Sequence, residues 1–124
     1  MNRWYSYRLW TILLGFAFIL MSGSLRAADF TITRVSVSSG GGQVNDYSYG
    51  PSVSADGRYV AFFSYASNLI PNDINGTSLD VFVHDGITGN TTIVSASSSG
   101  EQGDDYSYSP AISADGRYVA LQSK

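Results

Sequence analysis

The chain has 124 residues, no cysteine and a formal net charge of −3. That length allows one domain, and the missing thiols exclude both a disulfide framework and a lipid-anchored lipoprotein. The acid excess lies after the N-terminus: from Asp29 onward, roughly 96 residues carry four basic and ten acidic side chains, net −6, which leaves no basic footprint for nucleic acid or an anionic membrane.

In chain order, the first element is a basic start (Arg3, Arg8), an apolar run Leu9–Met21 and a small-residue stretch ending Leu25-Arg26-Ala27-Ala28. This pattern predicts a secretory signal peptide over residues 1–28, cleaved near Ala27 or Ala28. The apolar run is short for a membrane span, which needs roughly 20 apolar residues, although an uncleaved N-terminal anchor is the alternative. The expected location is periplasmic or secreted. A small exported domain without disulfides must draw its stability from packing, metal or partners.

After residue 29 no window has a helical apolar period, and short β-branched or alternating runs are separated by turn signals. Strands are predicted at Phe30–Val37, Pro51–Ser54, Arg58–Ser64, Leu79–Asp85 and Thr91–Ala96, then again at Pro110–Ser113 and Arg117–Gln122. Ala55-Asp56-Gly57 reads as a tight turn and Gly86–Asn90 as a hairpin loop. The restart is a sequence repeat. Thr33–Tyr65 aligns without a gap on Thr92–Lys124, with 21 of 33 pairs identical at an offset of 59 residues. A period of this size indicates a repeat architecture in which each unit packs on its neighbours.

One unit is thus four antiparallel strands in up-and-down order. Its second strand carries bulk on both faces, Tyr59, Ala61 and Phe63 against Val60 and Phe62, so it needs cover on both. Four-stranded sheets stacked around an axis supply such cover, as in the blades of a β-propeller. The expected fold is all-β, with about one and two-thirds blades present: a complete blade at about 50–97 and a second begun at 109. The meander places the two short turns at one end and two long loops, Ala66–Ser78 and Ser97–Ser109, at the other; loops of about 13 residues favour a functional role.

The segments Pro51-x-x-Ser54-Ala55-Asp56-Gly57-Arg58-Tyr59-Val60-Ala61-Phe62 and Pro110-x-x-Ser113-Ala114-Asp115-Gly116-Arg117-Tyr118-Val119-Ala120 resemble the repeat of TolB-type β-propellers. Ala55 and Ala114 stand where that family usually has proline. Ser67–Gly76 and Asp80–Asp85 are also similar to long-repeat bacterial members. The resemblance implies an exported propeller of six or seven blades that binds protein partners in the cell envelope. At 59 residues per blade such a ring needs about 350 residues, so the expectation is a piece of a longer propeller or a unit that self-associates. No segment matches the separate N-terminal domain of the Tol–Pal member.

Candidate sites follow from the loops. Asp73, Asn75 and Asp80, around Gly76 and beside Asn72, place oxygen donors as a Ca²⁺ loop does, although the same residues also suit an Asx-rich turn. Tyr47, Tyr49, Tyr106 and Tyr108, in the recurring Asp-Tyr-Ser-Tyr segments, are candidate partner-binding residues or ring packing common to each unit. Asp56 and Asp115 read as turn residues. His84 is the only histidine, which argues against a transition-metal site. With no Gly-x-Ser-x-Gly elbow, no catalytic residue is assigned. The functional expectation is an exported, non-catalytic repeat protein that binds a protein partner, with no cofactor beyond candidate Ca²⁺. The alternatives are the N-terminal propeller of a larger secreted enzyme and a Ca²⁺-stabilised module of a surface protein.

Overall fold

The structure, a computed structural model, describes residues 31–124; the proposed signal peptide and its cleavage site lie outside them. These residues are all-β, without a helix. Strands β1 (Ser48–Val53), β2 (Tyr59–Ser64), β3 (Asp80–Asp85) and β4 (Thr91–Ile93) form one antiparallel sheet in sequential order, and β5 (Ser107–Ile112) and β6 (Val119–Ser123) form a second. Neither sheet closes on itself.

The sequence repeat is also a repeat of hydrogen bonds. The turn after β1 is closed by Ser54 N–H on the Tyr59 carbonyl (2.9 Å), and its counterpart by Ser113 N–H on that of Tyr118 (2.8 Å). Isolated bridges Val37–Gln43 and Ala96–Gln102 recur at the same offset. So does a register shift in the first strand of each pair, between Tyr49 and Ser52 and between Tyr108 and Ala111. At that bulge the chain needs a left-handed residue. Gly50 (φ 56°) supplies it in the first unit, and Ser109 (φ 52°) in the second. A side chain at position 50 would run into the Phe63 ring; in the second unit the residue at Phe63's place is Gln122, and Ser109 is accommodated at a backbone strain of about 1 kcal/mol.

Strand pairing sorts the first sheet into two faces. Tyr49, Ser52, Tyr59, Ala61, Phe63, Val81 and Val83 share one; Val53, Val60, Phe62, Asp80, Phe82, His84 and Ile93 share the other. The second face carries the main apolar cluster of Phe62, Phe82, Ala66 and Leu69, with Val44, Ile70 and Ile93 packed against it. Phe62 and Phe82 stack with ring centroids 5.9 Å apart. The first face is covered by the second sheet, whose strand β5 lies across β2 and reaches β1 and β3. Backbone and side-chain bonds join the sheets: Ser107 N–H to the Leu79 carbonyl (2.7 Å), Ala55 N–H to that of Ala114 (2.9 Å) and Ile112 N–H to Ser52 Oγ (3.1 Å). Ala61 is fully buried there, its small side chain admitting close approach of β5.

Four strand expectations are corrected. From residue 31, the predicted strand Phe30–Val37 is irregular up to Val37, which makes one bridge; among the described residues no neighbouring strand pairs with it, and its end instead caps β4 through Thr91 Oγ on the Val37 carbonyl (2.6 Å). Strands β1 and β5 begin three residues earlier than expected, because the bulge absorbs Gly50-Pro51 and Ser109-Pro110 without ending the strand. Strand β4 stops at Ile93 rather than Ala96: the buried Ser95 hydroxyl turns inward, accepts Val81 N–H (3.0 Å) and donates to Asp80 Oδ1 (2.8 Å), taking over from backbone pairing.

Candidate functional site

The short turns meet at one end of the sheets. In each, a serine hydroxyl donates to the aspartate two residues on (Ser54 to Asp56, 2.5 Å; Ser113 to Asp115, 2.6 Å), and that carboxylate accepts the N–H of the following arginine. These bonds, the serine's above all, hold both carboxylates below the ordinary aspartate pKa. In each, Oδ1 takes both bonds and so shapes the turn.

The first unit adds a cross-link between its two turns. Cross-strand pairing sets Tyr59 opposite Asp85, which brings Arg58 beside that carboxylate in a bidentate pair, Nε to Oδ1 at 3.0 Å and Nη2 to Oδ2 at 2.8 Å. Asp85 Oδ1 also accepts Ile87 N–H at 2.9 Å, fixing the hairpin loop. The guanidinium is the main reason that Asp85 titrates far below the usual carboxylate range, with the loop N–H groups adding to it. A depressed aspartate pKa contributes stability above its unfolded value, 3.8, and that contribution is lost as pH falls through the folded value. Acid unfolding of wild type is therefore expected to steepen below about pH 4, and Arg58→Met to flatten that limb while lowering the melting temperature modestly at pH 7. The modest size follows from the exposure of the pair, 34% for the Arg58 side chain and 14% for Asp85. Thermal melts of both proteins from pH 2 to 7 check this.

His84 is 5% exposed, and its Nδ1 lies 2.9 Å from Thr91 Oγ. The single hydroxyl proton of Thr91 goes to the Val37 carbonyl, so His84 Nδ1 carries the hydrogen and donates. Its role is to tie β3 to β4.

The two long loops lie together at the opposite end. Gln102 clamps them, accepting Ile74 N–H at Oε1 (3.0 Å) and donating from Nε2 to the Asn72 carbonyl (2.6 Å), while Asn75 Nδ2 donates to the Gly103 carbonyl (2.9 Å). On its other flank, the loop after β2 meets the preceding period: Asn68 Nδ2 donates to the Gln43 carbonyl (2.8 Å), and Asn45 N–H to Asn68 Oδ1 (3.0 Å). Gln43 and Gln102 occupy the same place in successive periods, a signal present in the sequence that composition and spacing alone did not single out.

The four tyrosines do not form one patch. Tyr47 and Tyr49 pair at 6.2 Å between ring centroids, and Tyr49 continues onto Phe63 at 5.8 Å. Tyr106 instead meets Tyr65 edge to face at 6.4 Å, across the two sheets. Tyr47 is 72% exposed, Tyr49 and Tyr106 nearly half exposed, and Tyr108 is half-buried. The contacts do not recur with the motif: Tyr49 and Tyr106, which are not equivalent positions at the 59-residue offset, each meet an aromatic neighbour, while Tyr47 leaves most of its ring to solvent.

Asn75 and Asp80 come together, with Asp73 on the same loop. Asp80 opens β3 and is 1% exposed; the Asn75 side chain adjoins its carboxylate, and the charge on Asp73 is felt there. Asp73 Oδ1 accepts Gly76 N–H (3.2 Å) and so shapes the loop. Desolvation outweighs the hydrogen bonds from Ser95 and Asn75 and raises the Asp80 pKa. Among the described residues no three His, Asp or Glu side chains gather around one point, and no helix is long and apolar enough to cross a membrane. No family model, no curated protein and no solved structure matches this chain.

Proposed function

We propose that the chain is an exported, non-catalytic protein of TolB-like β-propeller repeats whose work is protein binding, and that its open sheet faces stack on further units of the same kind. One observation carries this reading. Ala61 is fully buried beneath the second sheet, whereas its counterpart in the next period, Ala120, is exposed on the same face beside Tyr118, which is 66% exposed. The face that the first unit uses to hold its successor is therefore presented again by the successor. Strand β6, paired on one side only among the described residues, adds an open row of backbone donors and acceptors. Contacts of this head-to-tail kind propagate until a ring closes. The long-loop end, with Tyr47 solvent-exposed above it, is the surface offered to a protein of another kind.

Sedimentation of the purified chain from Asp29, alongside Ala120→Arg, tests the reading. Wild type is expected to self-associate at tens of micromolar and the variant to shift toward monomer. A wild-type monomer that melts cooperatively and is unaffected by the substitution would defeat it.

A further inference from the structure

We propose that Asp73, Asn75 and Asp80 form a Ca²⁺ site that fastens the loop after β2 to the start of β3. The argument begins with two buried oxygens. Asp80 Oδ2 and Asn75 Oδ1 are both shielded from solvent and both lack a hydrogen-bond partner. The Ser95 hydroxyl proton goes to Asp80 Oδ1, one Asn75 amide hydrogen goes to the Gly103 carbonyl, and the other faces the Asp80 carboxylate without closing a bond to Oδ2. Leaving buried acceptors unpaired is costly, and such groups in folded proteins nearly always have a partner.

Asn75 Oδ1 can only accept, and so can Asp80 Oδ2 while the carboxylate is ionised, so one positive centre would satisfy them together. Asp73, half-buried at the mouth of the same loop, adds a second carboxylate. Two carboxylates match a divalent charge. All three donors are oxygens, which selects a hard cation and disfavours Zn²⁺, whose sites draw on nitrogen and sulfur. Ca²⁺ is favoured over Mg²⁺ because it accepts irregular sets of six to eight oxygens from a flexible loop, with carbonyls and water completing the shell, whereas Mg²⁺ demands a near-ideal octahedron. The ion would act where Gln102 and Gly103 of the following period join the loop, so it would stiffen the long-loop end as a whole. This inference is independent of the binding role proposed above.

The full chain, stripped of metal with a chelator, is titrated with CaCl₂ by calorimetry and by thermal melting, with MgCl₂ in parallel. One saturable site is expected, with a rise in melting temperature of about 10 °C at a hundredfold excess over Kd and a Mg²⁺ affinity at least tenfold weaker. Asp80→Asn and Asp73→Asn should each abolish the response. The first keeps the buried side chain's shape, and the second alters only the half-exposed end, so one variant remains informative if the other folds poorly. No heat and no shift in wild type would overturn the site, leaving Asp80 and Asn75 to share a proton. An unchanged response in both variants would place binding elsewhere and overturn it equally. A Mg²⁺ response as strong as that of Ca²⁺ would overturn the choice of ion.

Discussion

Phe82→Ala is expected to lower stability by about 3–5 kcal/mol, a large share of a total on the order of 5–10 kcal/mol for a chain of this size. Phe82 has no exposed surface and sits at the centre of the second face of the first sheet, stacked on Phe62 and covered by Ala66 and Leu69 from the long loop. Truncation removes the apolar area and also leaves a cavity that β3, hydrogen-bonded on both sides, cannot collapse to fill. Because Ala66 and Leu69 open the long loop, the same change should loosen the Gln102 clamp. Urea unfolding followed by tyrosine fluorescence measures the loss. Ile87→Ala is the control: the side chain is 75% exposed on the hairpin loop between β3 and β4, and its truncation should change stability by less than about 0.5 kcal/mol.

The second large effect is expected at Gly116 and is best read against Gly57. Both glycines hold the same left-handed turn position, at φ 71° and 73°. An alanine at either pays the backbone strain of that conformation, about 1–2 kcal/mol. Only at Gly116 does the added Cβ also meet a side chain, the ring of Tyr59 in the preceding unit; at Gly57 the space is open. Gly116→Ala should therefore exceed Gly57→Ala by about 1–3 kcal/mol, the usual range for forcing an added carbon into a packed contact. The difference isolates packing between the units, because the turn chemistry is common to both sites. Chemical denaturation of the two variants checks it, and equal losses would mean that the second sheet does not rest on Tyr59.

Much of the fold was legible because the repeat announces itself twice. Ser54-Ala55-Asp56-Gly57-Arg58 and its copy specify a turn by local chemistry alone: a hydroxyl and a carboxylate to hold it, and a glycine for the left-handed residue. The placement of both long loops at one end followed from strand alternation, and the Gln102 bonds bear it out. Strand limits were less legible, since they depend on partners. Gly50-Pro51 looks like a strand breaker until the bulge against Phe63 is known, and Ser95 looks like a strand residue until its hydroxyl is seen to serve Val81 and Asp80.

The candidate site divides in the same way. The oxygen donors Asp73, Asn75 and Asp80 could be named from spacing around a glycine turn, but the burial of Asp80 and the orphan oxygens are properties of the packed loop. The Arg58–Asp85 pair was hidden, because it depends on the register that sets Tyr59 opposite Asp85, 26 residues later in the chain. The tyrosines were legible as a repeated pattern, whereas the separate neighbours of Tyr49 and Tyr106 come from tertiary contact.

The central claim is that successive 59-residue units stack face to face, with the turn of the second resting on the first. The most direct measurement is the nuclear Overhauser contact between the Gly116 α-protons and the Tyr59 ring, made at a concentration where self-association is minimal or in the Ala120→Arg background. Stacking gives a strong cross-peak and ring-current-shifted Gly116 α-protons, while Gly57, with open space around it, shows neither. Random-coil shifts at Gly116 and no cross-peak, in a chain whose β1–β4 sheet is otherwise formed, would contradict the stacking and with it the repeat-module account.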